Sequence, residues 1–406
     1  MDNRVMTPAF REILDGWRAA SVAGKATLWS EPEKRVLLRS AWQEDILPCW
    51  WGAGGNIEAL QVVVDSQSIW AEAEQLPVDL LASALAIQES KRAQMHKLVL
   101  PDALLLEARP PMPLDMEVDL LSKAVEEADL EQLAPLLQSM ADDDHARRIV
   151  LNRLAQRLAD DSHAQGLRSI LFGQWHDAAA ELPARPFALG ALALLHSHWQ
   201  QPAGVAVVVP EGRASRDSEV DKPLLHALRE RDLPAFMGRV RAMGDQPLDA
   251  IRQLFLTVTL MMIEGGHRHE PQALMRLYVW LGTLLTLPHR SLRQARKVLF
   301  SAAASIFAFA GWQRREDWPD FSTLAAYREH ALSEPVPAPF TWQGALHAAA
   351  SNTATDWWLQ LAERAVAQDN PPGFWPLWRT AQRAGQVTGG PLAWIHPLVV
   401  LRFYFD

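Results

Sequence analysis

The spacing of apolar residues constrains this chain most: they recur three and four positions apart through nearly its whole length. That period matches the α-helical turn, so each segment carries one apolar stripe and keeps its charges on the opposite face. It predicts helices over 8–19, 33–47, 56–75, 78–98, 117–140 and 145–160. Further helices are predicted over 163–180, 185–200, 222–243, 247–264, 271–286, 289–311, 321–332, 341–367 and 373–385. Residues 61–65 are β-branched but lie inside a helical pattern, whereas 204–212 place a valine run between glycine and proline. A short β element is therefore expected near 205–209, leading into a polar loop over 213–221. The expected fold class is all-α, arranged as a helical repeat or irregular α-solenoid.

Proline cannot continue a helix and restricts the residue before it, so Pro101, Pro110 to Pro113 and Pro335 to Pro339 mark joints. They divide the chain into an N-terminal helical region (1–110), a central one (114–334) and a C-terminal one (340–406).

Within the central region, 119–142 align without a gap on 222–245, and seven of the 24 positions are identical. The matches are Leu121/Leu224, Ala124/Ala227, Glu127/Glu230, Asp129/Asp232, Leu130/Leu233, Met140/Met243 and Asp142/Asp245. Val125/Leu228, Leu133/Phe236 and Leu137/Val240 exchange one apolar residue for another. This pattern predicts a helix, a turn begun by Asp129 or Asp232 acting as N-cap, and a second helix, present twice. A fainter third echo starts at Leu346, His347 and Ala348 and sets Trp357 where Phe236 stands.

The chain has 406 residues, 49% of them hydrophobic, enough to bury a large core. Its net charge of -9 argues against a general nucleic-acid or anionic-membrane binder, since such proteins carry a basic excess. Cys49 is the sole cysteine, so neither an intrachain disulfide nor a cysteine zinc site can form. Acidic residues among the first 17 and the absence of an apolar core there do not fit a secretory leader. Apolar runs such as 254–263 and 298–310 fall short of a bilayer span and read as buried helices. A cytoplasmic, soluble protein without membrane insertion is expected. The 17 tryptophans are scattered, which favours large wedges between helices over one aromatic cage. Trp50/Trp51, Trp357/Trp358 and Trp375/Trp378 are the clusters that could instead face a ligand or partner.

Thirteen histidines raise the question of metal chemistry. Glu264 and His267 have the i, i+3 spacing used by carboxylate–imidazole ligands on helices, with His269 beside them and His196 and His198 as a second arm. Two glycines interrupt the first group, and neighbouring-but-one histidines diverge on a helix, so no metal site is expected and these residues read as surface or capping groups. They are the candidates should the chain be an enzyme. Gly52 to Asn56 lacks the Lys-Ser/Thr ending of a phosphate loop and reads as a turn with an Asn cap. Cys49 among tryptophans reads as a small buried apolar residue. Arg290, Arg293, Arg296 and Lys297 make the densest basic patch, either a solvated face paired with carboxylates or a binding stripe.

These observations favour a helical adaptor or scaffold holding a protein or peptide partner in a groove, needing neither metal nor organic cofactor. Arg290, Arg293, Arg296, Lys297, Trp357 and Trp358 are its candidate binding residues. The alternative is an all-helical enzyme acting on a small apolar or aromatic molecule in a pocket lined by Trp and His. Nucleic acid is not the expected partner.

Overall fold

A computed structural model describes residues 8–52, 57–94, 112–127, 129–158, 175, 182, 184–196, 220–264, 271–286, 292–308, 347, 354–388, 396 and 398–400. Every regular element among them is a helix, and there is no strand. The region expected to be extended, 205–209, lies outside the described residues, as do 321–332 and most of 163–180. Packing groups the chain into two compact units: Met1–Leu158 with Leu171–Gln200, and Ala159–Ile170 with Gln201–Asp406. This grouping differs from the three regions marked by the prolines, because the two similar segments fall one in each unit.

The first unit contains α1 (Pro8–Ala19), α2 (Val22–Ser30), α3 (Pro32–Gly52), α4 (Ile57–Ala71), a 3-10 turn (Ala73–Gln75) and α5 (Val78–Ala93). It continues with α6 (Leu114–Glu127), α7 (Leu130–Met140), α8 (Asp144–Leu158) and α9 (Ala184–His196). α3 carries α1 and α2 on its sides, α4 packs between α3 and α5, and α9 lies against α3, α7 and α8. The centre of the α1–α5 layer is a group of four buried indoles, Trp17, Trp29, Trp42 and Trp70, with ring centroids 5.5 to 6.3 Å apart. Each of these large rings fills the gap between two or more helices, which is how scattered tryptophan becomes one core. α2 has no counterpart among the predicted helices. It holds Gly24 inside and only a short apolar pattern, but Ser21 begins it by accepting a hydrogen bond from the Gly24 amide.

The second unit contains α10 (Lys222–Arg229), α11 (Leu233–Ala242), α12 (Pro247–Glu264), α13 (Pro271–Thr286), α14 (Leu292–Ala308), α15 (Ala354–Ala367) and α16 (Phe374–Thr388). α12 is its axis and packs on α13 and α14, while α13 also packs on α16. Residues 254–263 of α12 are buried on every side, as the apolar run predicts. Thr257 and Thr259 are tolerated there because their hydroxyls donate to the carbonyls of Gln253 and Phe255, one turn back.

The two similar segments adopt the same local path. In the first, Asp129 accepts from the Gln132 amide and opens α7, and its own N–H donates to the Ala124 carbonyl at 3.0 Å. In the second, Asp232 accepts from the Ala235 amide and opens α11, and its N–H donates to the Ala227 carbonyl at 2.9 Å. Leu121, Ala124, Leu133, Leu137 and Met140 are buried, and so are Leu224, Ala227, Phe236, Val240 and Met243. A third turn of the same hydrogen bonding joins α15 to α16, where the Asn370 N–H donates to the Ala365 carbonyl at 2.9 Å. Asp369 sits at φ 61° in that turn, and Arg231 at φ 58° in the second. Phe374 there takes the place, relative to the turn, that Phe236 takes in α11. The third echo expected from Leu346 has its first helix and turn mostly outside the described residues; α15 begins at Ala354, and Trp357 is buried in its first turn, as Phe236 is in α11.

Candidate functional site

Most of the residues singled out from the sequence, or their side chains, lie outside the described residues. Glu264 ends α12 and His196 ends α9, and nothing is described of either side chain; His198, His267, His269 and Arg290 lie outside the described residues. Arg293 and Lys297 are on α14, again with side chains outside the described set. Among the described residues no three His, Cys, Asp or Glu come together as a metal site. Arg296 is committed within the chain. Its Nε donates to the Gly244 carbonyl at 2.8 Å and its guanidinium pairs with Asp245, so it ties α14 to the end of α11.

Trp357 and Trp358 are buried, 6% and 8% exposed, which leaves little ring surface for an outside partner while this packing holds. Trp378 packs edge-on to Trp358 at 6.0 Å and donates its Nε1 hydrogen to the Trp358 carbonyl at 3.1 Å. Trp375 and Phe374 complete the cluster. These indoles act as wedges between α15 and α16.

Two buried polar arrangements were not singled out from the sequence. In the second unit, Tyr278 Oη of α13 and His396 Nδ1 are 2.9 Å apart, and Phe255 of α12 stacks on the imidazole at 5.4 Å. All three are fully buried, and His396 Nε2 has no hydrogen-bond partner. Burial pushes the imidazole down to about 3 and the phenol well above its ordinary value, so both stay neutral at pH 7. The signal was a lone histidine in the apolar stretch 394–400.

In the first unit, Gln61, Asp65 and Ser68 on α4 and Glu72 just beyond it are buried, at helical spacings of four, three and four. Gln61 Nε2 donates to Asp65 Oδ1 at 3.2 Å, and Gln75 Nε2 donates to Glu72 at 2.6 Å. The spacing was readable as one face; the burial of that face was not, because polar stripes ordinarily meet water. Nearby, Arg18 pairs with Asp45 and Glu89. Burial alone would lower its guanidinium, but the two carboxylates reverse this and raise it.

The outer surfaces of the α6–α7 and α10–α11 pairs carry exposed apolar residues, as α2 and α3 do at Val22 and Leu37. In the second unit the start of α11 shows Leu233, 46% exposed, beside exposed Pro234, Ala235 and Gly238, and a Cβ on Gly238 would meet nothing within 4 Å. Lys222, Arg231 and Arg241 of this helix pair are exposed, as are Glu230 and Asp232 at its turn. Asp221 caps α10 through the Leu224 amide, and its carboxylate accepts from Arg239 of α11 at 2.8 Å. That hydrogen bond leads the effects that raise the Arg239 guanidinium. In the first unit the helix pair is acidic: Asp115, Asp119, Glu131 and Asp142 are exposed, and Met116, 56% exposed, is on α6 with Asp115 and Asp119. There the buried Glu117 carboxylate accepts from the Ser139 hydroxyl at 2.8 Å and holds α6 to α7.

These two helix pairs therefore share buried positions and differ in the residues they expose. No described helix is long and apolar enough to cross a membrane. No protein-family model, no curated protein and no solved structure matches this chain.

Proposed function

We propose that this chain is a helical protein-interaction module, an adaptor or scaffold whose helix-turn-helix units hold protein or peptide partners. The observation that carries this reading is the recurrence of one capped turn and one set of buried positions beneath outer faces that differ in charge. A turn fixed by Asp129 or Asp232 holds each pair of helices at a set angle, so exposed residues can diverge without disturbing the interior. Leu233 and Met116 are large apolar residues left in solvent at such faces, where they serve as contact groups with a charged rim around them. A cytoplasmic setting belongs to the same proposal, resting on a single cysteine and an acidic balance.

Site-specific photo-crosslinking tests it. A photoreactive side chain at position 233 or 116 of the full chain is expected to give discrete protein adducts in native cells, and one at exposed Glu12 is not. Adducts that are identical at all three positions, or absent at 233 and 116, would overturn the reading.

A further inference from the structure

The two helix pairs share an interior and invert their surface charge. Over 119–142 six carboxylates accompany one lysine, whereas over 222–245 five Lys and Arg accompany three carboxylates. The inversion falls at equivalent positions: Asp119 corresponds to Lys222, Glu126 to Arg229, and uncharged Ala128 and Gln138 to Arg231 and Arg241. Of these, Asp119, Lys222, Arg231 and Arg241 are exposed and form no ion pair among the described residues. Asp115 lies one turn before Asp119 on α6 and is equally exposed, while Lys123, one turn after, is 4.0 Å from Glu127. Each face also carries its own apolar contact group. The basic face offers Leu233 with the flat surface of Pro234, Ala235 and Gly238; the acidic face offers Met116, an unbranched side chain that adapts to such a surface.

We propose that the α10–α11 face of one copy docks the acidic α6–α7 face of a second copy of this chain, an inference that rests on the interaction reading above. Lys222, Arg231 and Arg241 would meet Asp115, Asp119 and Glu131, with Met116 laid against Gly238 and Leu233. Complementarity points to a second copy: over 119–142 carboxylates outnumber lysine six to one, while over 222–245 lysine and arginine outnumber carboxylates five to three. Such a contact joins unlike faces, so it propagates head to tail into a chain or closes into a ring. Exposed charges are screened by salt, so the association weakens as ionic strength rises.

Sedimentation velocity of the full chain at increasing concentration tests this. At low salt the mass is expected to climb beyond that of a dimer, and at high salt to return to the monomer. Lys222→Glu with Arg231→Glu and Arg241→Glu leaves both faces acidic, and Asp115→Asn with Asp119→Asn and Glu131→Gln strips the acidic face of its exposed charge and leaves the basic one; each variant alone is expected to be monomeric. Mixed, the two are expected to form a one-to-one dimer through the only complementary pair of faces. Circular dichroism of each variant establishes that the helices are intact, as substitution of exposed residues should leave them. A wild type that stays monomeric at about 100 µM in low salt, or a self-association unchanged by both variants, overturns the proposal. If the wild type is monomeric yet photo-crosslinks at 233 trap another protein, self-docking fails and the interaction reading stands. If those crosslinks are also absent, both fail.

Discussion

His396 shows how a single residue sets a property of the whole second unit. Its imidazole is sealed between Phe255 and Tyr278 and is held down to about 3, against about 6.5 for an exposed histidine. On acidification the unfolded chain takes up this proton first. The stability that rests on a neutral His396 is therefore complete above about pH 6.5 and is lost progressively as pH falls toward about 3. Between pH 6.5 and 4.5 the loss is about 2 to 3 kcal/mol, from roughly 1.4 kcal/mol per pH unit. His396→Gln, which cannot take up the proton, is expected to lose less stability over this interval than the wild type. Urea unfolding at the two pH values measures the difference, and equal losses in both proteins would contradict this account. Residue-scale chemistry was the least legible in the sequence. The spacing of Glu264, His267 and His269 drew attention to histidines outside the described residues. The described buried one stands alone in an apolar run, and its partner Tyr278 is more than one hundred positions away. Such long-range pairing leaves no local pattern. The Asp caps are the opposite case, since a cap is a local device: Asp129 and Asp232 each bond the amide three residues on, as their place before an apolar-periodic run predicts.

At the scale of elements, periodicity carried most of the information. The helices at 8–19, 247–264 and 271–286 coincide with the predicted ones, because long amphipathic or fully apolar runs have no competing structure. α2 escaped because it is short and its stabilisation is tertiary: Trp29 on it packs on Trp17 and Trp70. The turn between α15 and α16 was not read from the sequence, because these helices keep the buried positions but replace the Asp-Leu signature with Asn370-Pro371. Helix approach distances were also hidden. A Cβ on Gly282 of α13 would come 2.5 Å from Thr380 Cγ2 of α16, and Thr380 is β-branched and cannot swing aside easily. Ala is ordinarily the better helix former by about 1 kcal/mol, so the two effects oppose one another. Overpacking costs about 1 to 3 kcal/mol and should win. Gly282→Ala is accordingly expected to lower the thermal midpoint, measured by circular dichroism, whereas Ala at open Gly238 should raise or preserve it. A rise with Gly282→Ala would show that α13 and α16 are not in contact at this point.

For the whole molecule, the two units share a capped pair of helices and differ in what that pair shows to solvent. The buried polar groups, the Tyr278–His396 pair and the α4 stripe, are enclosed by helices, and the indoles at 17, 29, 42, 70, 357, 358, 375 and 378 are buried wedges. Of the large apolar groups left in solvent among the described residues, Met116, Leu233 and Leu248 lie on or beside the two helix pairs, and Val22 and Leu37 lie on α2 and α3. Tryptophan number was therefore a guide to the core. The most direct measurement is affinity purification of the tagged full chain from its native cells, comparing the wild type with the Lys222→Glu, Arg231→Glu, Arg241→Glu variant. This account predicts that at least one protein, the untagged chain included, recovers in stoichiometric amount with the wild type and is lost with the variant. Recovery of the same proteins with both, or of none with either, would contradict it.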